Sequence, residues 1–298
     1  MLAYLEILGI NLYGGYMAEI AVVTDSVATI PADLVKKYNI YVAPVHIIWD
    51  KVDYRDSVDL QTSEFYTRLR KSKTLPTTSS GIQGEFLQIF EGLRGKVAGI
   101  VTIALTGALG ACYNSALNAK ELVDDVPIEV IDTHTAFMAQ GFAVIAAAKI
   151  AVAGGSMSDV IKAAEYVNSK THVFWAMDTL EYLRKGGRVS LPQSILASWL
   201  QVKPITGLNK EGKVEPLARV RTRAKVIDKL IELMDERITI NSPLHVSVLH
   251  GDAAKEADQL ERAVDAKYKP VEIIRSEVSP VIGTHTGPGT LGLAFYNE

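Results

Sequence analysis

From Glu19 onward, the sequence alternates short β-branched runs with stretches of helical periodicity. The runs typical of strands are EIAVVTD, IYVAPVHIIW, KVAGIVTIAL and PIEVID. Helices are predicted after Pro31, from Thr62, from Gly81, and over 111–122, 136–153 and 158–168. Because strands that alternate with helices pair in parallel and are covered by those helices, this region is predicted to be an α/β domain with a mainly parallel sheet.

The pattern changes after about residue 168. A strand run THVFWAM precedes a short helical piece ending in Lys185-Gly-Gly, and VKPITGL and KVEPLARVRTR read as a hairpin across LNKEG. A helix over 225–237, the strand LHVSVLH, a helix over 253–266, the strands VEIIRSEV and LGLAFY, and a glycine-rich loop between those two strands complete the chain.

These patterns predict two domains and a short appendage. We expect an appendage at 1–16, an N-terminal three-layer α/β/α domain at 17–168, and a C-terminal two-layer α/β domain with a mixed sheet at 169–298. Met17 stands just before the first clean strand, so we hypothesise that the functional chain starts there.

Composition excludes several classes of function. The 298 residues are 48% hydrophobic, and the net charge is -3, so no strong positive field favours nucleic acid. The first 16 residues contain no Lys or Arg and carry Glu6, which favours neither a signal peptide nor a spanning helix. A single cysteine cannot form an intramolecular disulfide, and we expect a cytoplasmic protein.

Two nucleotide-binding patterns occur in unsuitable settings. Residues 287–292 match G-x-G-x-x-G, but a strand and the end of the chain follow where a dinucleotide site needs a helix. Residues 207–213 match G-x-x-x-x-G-K, but Val214 replaces the Ser or Thr that holds magnesium, and strand-like runs flank the pattern. The second pattern is therefore interpreted as a hairpin loop.

Neither a metal site nor a reactive cysteine is indicated. The six histidines are scattered, and His245 and His250 are most simply the start and the end of one strand. Cys112 lies in an apolar segment typical of the core. We expect no metal and no cofactor.

Four segments rich in hydroxyl groups or glycine follow strands or open helices. In an open α/β sheet, ligands gather at the carboxyl ends of strands, and free amides with hydroxyl donors can bind an anion there. Each segment also has a structural interpretation: Ser80 with Gln83 can form a capping box, and Asp25-Ser26 can be turn chemistry. An imidazole in a glycine loop has little packing purpose, which favours a function for His285. The segments are Thr24-Asp25-Ser26, 76–80, 106–110 and 283–287.

An ordered set of motifs resembles the DegV family of bacterial fatty-acid-binding proteins over nearly the whole chain from Met17. The motifs are TDS, PTTSS, VIDT, LEYLRKGGR, KPI, RVRTRAK and GTHTGPG. The resemblance implies a DegV-like protein of two domains that holds one long-chain fatty acid between them. The carboxylate would lie in a polar pocket and the tail in an apolar tunnel. It also implies a carrier rather than an enzyme, one that presents the acid to a separate fatty-acid kinase.

The resemblance also assigns residues. Thr78 matches the family threonine that contacts the carboxylate, and His285 matches the histidine of the H-T-G-P-G loop. The candidate ligand-binding set is Thr78, Ser79, Thr106, Gly110, Gly283, His285 and Thr286, with Asp25 and Ser26 as site support.

One motif departs from the family pattern. Members commonly read L-S-G-T-Y-Q-S-A, and the serine binds the carboxylate, whereas this chain has Gly110 at that position. Either the Gly110 amide, with Thr106, substitutes for the serine, or the head group of the ligand differs.

Two further segments have both a structural and a functional interpretation. The helix over 136–148 is apolar nearly all round, which is typical of buried core but also suits a tunnel wall. Arg219, Arg221 and Arg223 alternate, which on a strand places them on one face, either as an exposed basic edge or as contacts for a phosphate or a partner. The resemblance places Arg221 in the family's R-x-R motif, and Arg188 is a second candidate.

Two rival functions remain open from the residues alone. The chain could be an enzyme acting on a small anionic or phosphorylated metabolite, with His285 as the acid-base group and Asp25 as its partner. It could instead be an interaction protein that docks through its basic strand.

Overall fold

A computed structural model describes residues 19–79, 81–188, 199 and 202–298. The hypothesised start at Met17 and the 1–16 appendage lie outside the described residues. In chain order the strands are β1 Ile20–Asp25, β2 Ile40–Ala43, β3 His46–Trp49, β4 Val52–Arg55, β5 Thr77–Thr78, β6 Gly99–Ala104, β7 Ile128–Asp132, β8 His172–Ala176, β9 Lys203–Leu208, β10 Val214–Val220, β11 Leu244–Gly251, β12 Glu272–Glu277 and β13 Thr290–Asn297.

Apart from the last one, the helices fall close to where the sequence predicts them. In chain order they are α1 Ala32–Lys37, α2 Thr62–Leu69, α3 Gln83–Leu93, α4 Cys112–Lys120, α5 Phe137–Val152, α6 Met157–Lys170, α7 Glu181–Lys185, α8 Val226–Asp235, α9 Ala254–Tyr268 and α10 Pro280–Thr286. Short 3₁₀ turns lie at Ser26–Ala28 and Arg223–Lys225.

The chain divides into two compact units, and the described residues of the first are 19–45 and 81–170. Its sheet has the order β2-β1-β6-β7, and every pair of strands in it is parallel. All residues of β1 and β6 are buried, as expected for strands covered by helices on both faces. This confirms the parallel α/β prediction.

The apolar helix α5 belongs to this unit. It is buried over nearly its whole length and packs against α6 and β1. These contacts support the core interpretation of the 136–148 segment, and its part in a tunnel stays a prediction.

The run IYVAPVHIIW forms two strands rather than one. Pro44 lacks an N–H and stands between β2 and β3, so the ladder is interrupted there. After the break, β3 joins a separate antiparallel sheet with the order β4-β3-β5. Residues 46–79 therefore belong to the second unit, whereas the sequence predicts one contiguous boundary near residue 168.

The second unit comprises the described residues of 46–79 and 171–298. Its main sheet has the order β10-β9-β8-β13-β11-β12, in which β11 and β12 are parallel and the other pairs are antiparallel. The apolar faces of α8 and α9 pack on this sheet through Leu230, Met234 and Leu260, among other buried residues. The predicted mixed sheet is confirmed.

The two nucleotide-like patterns, at 207–213 and 287–292, lie in the structural settings predicted for them. Gly207 is inside β9, and the loop that follows it joins β9 to β10 as a hairpin, with Gly212 at φ 73°. Gly289 is followed directly by β13, so no helix follows the pattern at 287–292.

The histidines and the cysteine also lie as the sequence arguments place them. His245 and His250 lie at opposite ends of β11. Cys112 is buried, and burial raises the pKa of its thiol well above the ordinary value. Among the described residues, no group of His, Cys, Asp or Glu is arranged to hold a metal ion, and no helix is long and apolar enough to span a membrane.

Candidate functional site

Thr78 and His285 meet through their side chains inside the second unit. The Oγ1 of Thr78 and the Nε2 of His285 are hydrogen-bonded at 3.0 Å, although the two residues are 207 positions apart. Thr78 ends β5, where it pairs with Ile47, and the amide of Ser79 donates to the carbonyl of His46 at 2.9 Å. These backbone bonds fix the threonine in front of the imidazole.

His285 lies in the last turn of a helix, which corrects the prediction of a glycine loop. Pro280 opens α10, and the helix ends at Thr286, directly before Gly287, whose positive φ of 74° suits a terminating glycine. A Cβ on Gly287 would lie 2.3 Å from Cδ2 of Tyr182, so the close approach of Tyr182 also requires glycine there.

The helical conformation uses groups that the loop interpretation leaves free for a ligand. The amide of Gly283 donates to the carbonyl of Ser279 at 2.8 Å, and the hydroxyl of Thr286 donates to Ile282 at 3.3 Å. Gly283 itself is required by packing, since a Cβ would lie 2.7 Å from Phe65 and Tyr66. Within this segment, His285 is the candidate ligand contact.

The imidazole of His285 is held neutral at pH 7. Burial, reinforced by the nearby Arg188 cation, lowers its pKa from 6.5 to about 4. Its Nδ1 is out of contact with solvent and has no hydrogen-bond partner among the described residues.

A cavity of about 460 Å³ opens beside this pair. Residues of 73–78, residues of 182–188, and Thr284 and His285 line it, and all of them belong to the second unit. Lys73, Lys185 and Arg188 contribute positive charge to the wall, so the cavity attracts an anion to the hydrogen-bonded pair. Its volume is in the range of small-molecule sites.

Arg188 is anchored to the backbone beside this cavity. Its Nη1 donates to the carbonyl of Gly186 at 2.7 Å. The structure therefore brings Arg188 together with Thr78 and His285.

Asp25 and Ser26 lie in the first unit, at the carboxyl end of β1. The Asp25 carboxylate accepts hydrogen bonds from the amides of Val27 at 3.0 Å and Leu105 at 2.8 Å. Ser26 Oγ accepts from the amide of Val45 at 3.1 Å. Both side chains therefore hold backbone turns in place. This agrees with the structural interpretation of Asp25-Ser26 as a turn.

Thr106 and Gly110 also lie in the first unit. The buried Thr106 hydroxyl accepts from the amide of Ala108 at 3.2 Å. A Cβ on Gly110 would lie 3.0 Å from Cδ2 of Leu105, so a serine there requires Leu105 to shift. How the missing family serine is compensated stays a prediction.

The three alternating arginines do not share one strand face, contrary to the prediction. β10 ends at Val220, and Arg223 opens a 3₁₀ turn. Arg223 is half-buried and forms ion pairs with Glu256 at 3.3 Å and Asp178 at 3.7 Å, whereas Arg221 is exposed. Of the two, Arg221 is the one accessible to a partner.

Several residues of the cavity wall were missed from the sequence. Lys73, Tyr182 and Gly186 line the cavity with His285. The signal for two of them is the LEYLRKGGR motif, which carries Tyr182 and Gly186 close to Arg188. Lys73 reaches the cavity because residues 46–79 belong to the second unit. The sequence pattern does not reveal that these residues belong to it.

Known proteins resemble this chain over almost all of its length. A family model described as an uncharacterised protein of the DegV family matches residues 19–298. The protein DegV of Bacillus subtilis is 34% identical over 278 residues, which are 93% of this chain and 98% of that protein.

Solved structures resemble it as well. A crystal structure of DegV, a fatty acid binding protein from Bacillus subtilis, has a TM-score of 0.86 and 32% identity, covering 94% of this chain and 100% of that one. A DegV family protein from Thermus thermophilus, described by its fatty acid binding, has a TM-score of 0.87 and 27% identity with the same coverage. The match over 19–298, together with the two-unit α/β fold, establishes that this chain belongs to the DegV family.

Proposed function

We propose that this chain binds one long-chain fatty acid, with the carboxylate at Thr78 and His285. The observation that carries the proposal is the hydrogen bond between these two side chains beside a cavity with positively charged walls. The proteins from Bacillus subtilis and Thermus thermophilus that share the fold are described as fatty acid binding.

The charges at the cavity favour an acid as ligand. Lys73, Lys185 and Arg188 attract an anion, and the Thr78 hydroxyl, held by the neutral His285, supplies a directional hydrogen bond. A carboxylate is an acceptor of such bonds at both of its oxygens.

The tail supplies most of the affinity. Burying some fourteen methylenes at ~0.8 kcal/mol each contributes on the order of 10 kcal/mol before the costs of association. One hydrogen bond contributes about 1 kcal/mol, so the polar pair sets orientation more than strength.

The protein acts as a carrier without chemistry of its own. A general base works best with a pKa close to the operating pH, and the His285 pKa of about 4 is far below it. In this proposal the protein works in the cytoplasm and presents the acid to a separate fatty-acid kinase, and the exposed Arg221 contacts the kinase or the phosphorylated acid.

Mass spectrometry tests the binding proposal. Protein expressed in a bacterium is weighed in its native state, then denatured and extracted. We expect a stoichiometric mass that matches a long-chain fatty acid, and less retention in Thr78→Val and His285→Ala. Thr67→Val is the matched control, because the Thr67 hydroxyl is exposed and donates to Ser63 within α2. A wild-type protein that stays empty after incubation with a fatty-acid mixture overturns the proposal.

A further inference from the structure

The backbone of Gly186 lies directly against the imidazole of His285. A Cβ built on Gly186 would lie 2.2 Å from Nδ1 and 3.0 Å from Cε1 of the ring. No side chain larger than hydrogen fits at this position while the ring stays where it is. The contact also leaves no room for a water molecule or a ligand atom at Nδ1, which has no accessible surface.

The backbone conformation of Gly186 gives no other reason for glycine. Its φ of -75° and ψ of -8° are right-handed, and alanine adopts them readily. The next residue has the opposite properties: Gly187 has φ 69°, and nothing lies within 4 Å of a Cβ built there. The backbone conformation therefore requires glycine at position 187, whereas the space that the His285 ring occupies requires glycine at position 186.

The packing determines which ring nitrogen carries the proton. A buried N–H without an acceptor is more costly than a buried lone pair without a donor, and Nδ1 has no partner among the described residues. The proton therefore belongs on Nε2, which donates to Thr78 Oγ1 at 3.0 Å.

This tautomer sets the direction of the Thr78 hydroxyl. Because Oγ1 already accepts from His285, its own hydrogen is available to donate to a ligand. A hydroxyl fixed as a donor favours a ligand group that only accepts, such as an ionised carboxylate.

We propose that Gly186 is a positioning residue, which presses His285 into the Nε2–H tautomer and so orients the Thr78 hydroxyl as a donor to the carboxylate. This inference rests on the proposed function for the identity of the ligand. The placement of the ring and its proton does not depend on any ligand.

The tautomer is measured on the protein stripped of lipid. Two-dimensional ¹H–¹⁵N spectra that correlate ring nitrogens with ring carbon-bound hydrogens separate protonated from bare nitrogens, and His285→Ala identifies the signal. We expect His285 at pH 7 to carry its proton on Nε2 and a bare Nδ1. A proton on Nδ1 overturns the proposal, and this result needs no variant of Gly186 to fold.

The role of Gly186 is measured with Gly186→Ala and the control Gly187→Ala. We expect Gly186→Ala to change the His285 ring spectrum and to raise the Kd for a long-chain fatty acid about fivefold, the equivalent of one hydrogen bond of about 1 kcal/mol. Gly187→Ala strains the backbone but should leave the ring spectrum and the Kd unchanged. Equal effects of both variants on ring and Kd overturn the positioning role.

A double variant separates positioning from simple destabilisation. In the His285→Ala background both contacts with the ring are gone, and the carbonyl oxygen of Tyr182, 3.1 Å from the built Cβ, is the close atom that remains, so Gly186→Ala should lower the melting temperature and weaken binding much less than in the wild-type background. A loss of the same size in both backgrounds overturns the proposal. If the wild type binds no fatty acid, the proposed function fails, while the ring spectra and melting temperatures still decide the role of Gly186.

Discussion

Gln140 and Asp25 form a buried polar pair in the first unit, with Nε2 of Gln140 donating to Oδ2 of Asp25 at 3.2 Å. Gln140 projects from α5 and Asp25 ends β1, so the pair joins helix to sheet. Burial outweighs the hydrogen bonds that the carboxylate accepts and raises its pKa from 3.8 to about 6.

The raised pKa predicts how Asp25 affects stability. Because the folded state holds the proton more tightly than the unfolded state, this carboxyl stabilises the fold most below about pH 4, and the contribution is lost as the pH rises through 6. The rise of the pKa from 3.8 to about 6 corresponds to about 3 kcal/mol of folding free energy. Titration of the carboxyl carbon by ¹³C NMR should give a midpoint near 6. Asp59, whose pKa is lowered to about 2 by Arg55, is the control, because its pKa is shifted in the opposite direction. An ordinary midpoint for Asp25 would contradict the buried placement.

His285 predicts the opposite dependence on pH. Its folded-state pKa of about 4 lies below the ordinary 6.5, so its contribution is complete above 6.5 and is lost as the pH falls through 4. The fall of the pKa from 6.5 to about 4 corresponds to roughly 3 kcal/mol of folding free energy. The melting temperature of the wild type should therefore fall more between pH 7 and pH 4 than that of His285→Ala. Identical decreases in the two proteins would mean that the ring titrates normally.

Gly110→Ser tests the departure from the family motif. The added Cβ meets only the far end of the flexible Leu105 side chain at 3.0 Å, so we expect a small loss of stability, within about 1 kcal/mol. If the serine contacts the carboxylate as the resemblance implies, fatty-acid affinity should rise about fivefold through one added hydrogen bond. Gly84→Ser, at an exposed position with no atom within 4 Å of the new Cβ, is the control. Unchanged affinity would place the ligand away from Gly110.

The two arginines at the end of β10 should separate stability from partner contact. Arg223→Ala removes ion pairs to Asp178 and Glu256 and should lower the free energy of unfolding by about 1 kcal/mol. Arg221→Ala should leave stability unchanged and slow phosphorylation of the bound acid by a fatty-acid kinase. Denaturant unfolding and a kinase assay measure the two effects. A kinase rate unaffected by Arg221→Ala would remove it from the proposed contact.

Periodicity and turn chemistry predict most elements because these signals are local. The parallel strands β1, β6 and β7 and the helices between them follow from apolar patterns that need no knowledge of distant residues. Pro44 shows the limit of this reasoning. The sequence places it inside a strand-like run, but only the fold reveals that the chain changes sheets there.

Part of the candidate site could be predicted from the sequence, because the motifs that point to it are also short and local. Motif resemblance selects Thr78 and His285 as candidate ligand contacts, yet it suggests a loop where α10 forms, because Gly283 and Gly287 resemble loop residues. Gly283 is needed for close packing on Phe65 and Tyr66 and not for a loop conformation, and Pro280 supplies a favourable start to the helix. The contact between Gly186 and His285 is invisible in sequence, since 99 positions separate the two residues.

The course of 46–79 has a consequence for protein engineering. The first unit is interrupted in the chain by this segment of the second, so a cut near residue 168 does not separate two independent folding pieces. Such a cut would leave Thr78 on one fragment and His285 on the other. Neither fragment would then hold a complete polar pair, and ligand binding would report the reassembly of the two halves in a split-protein complementation assay.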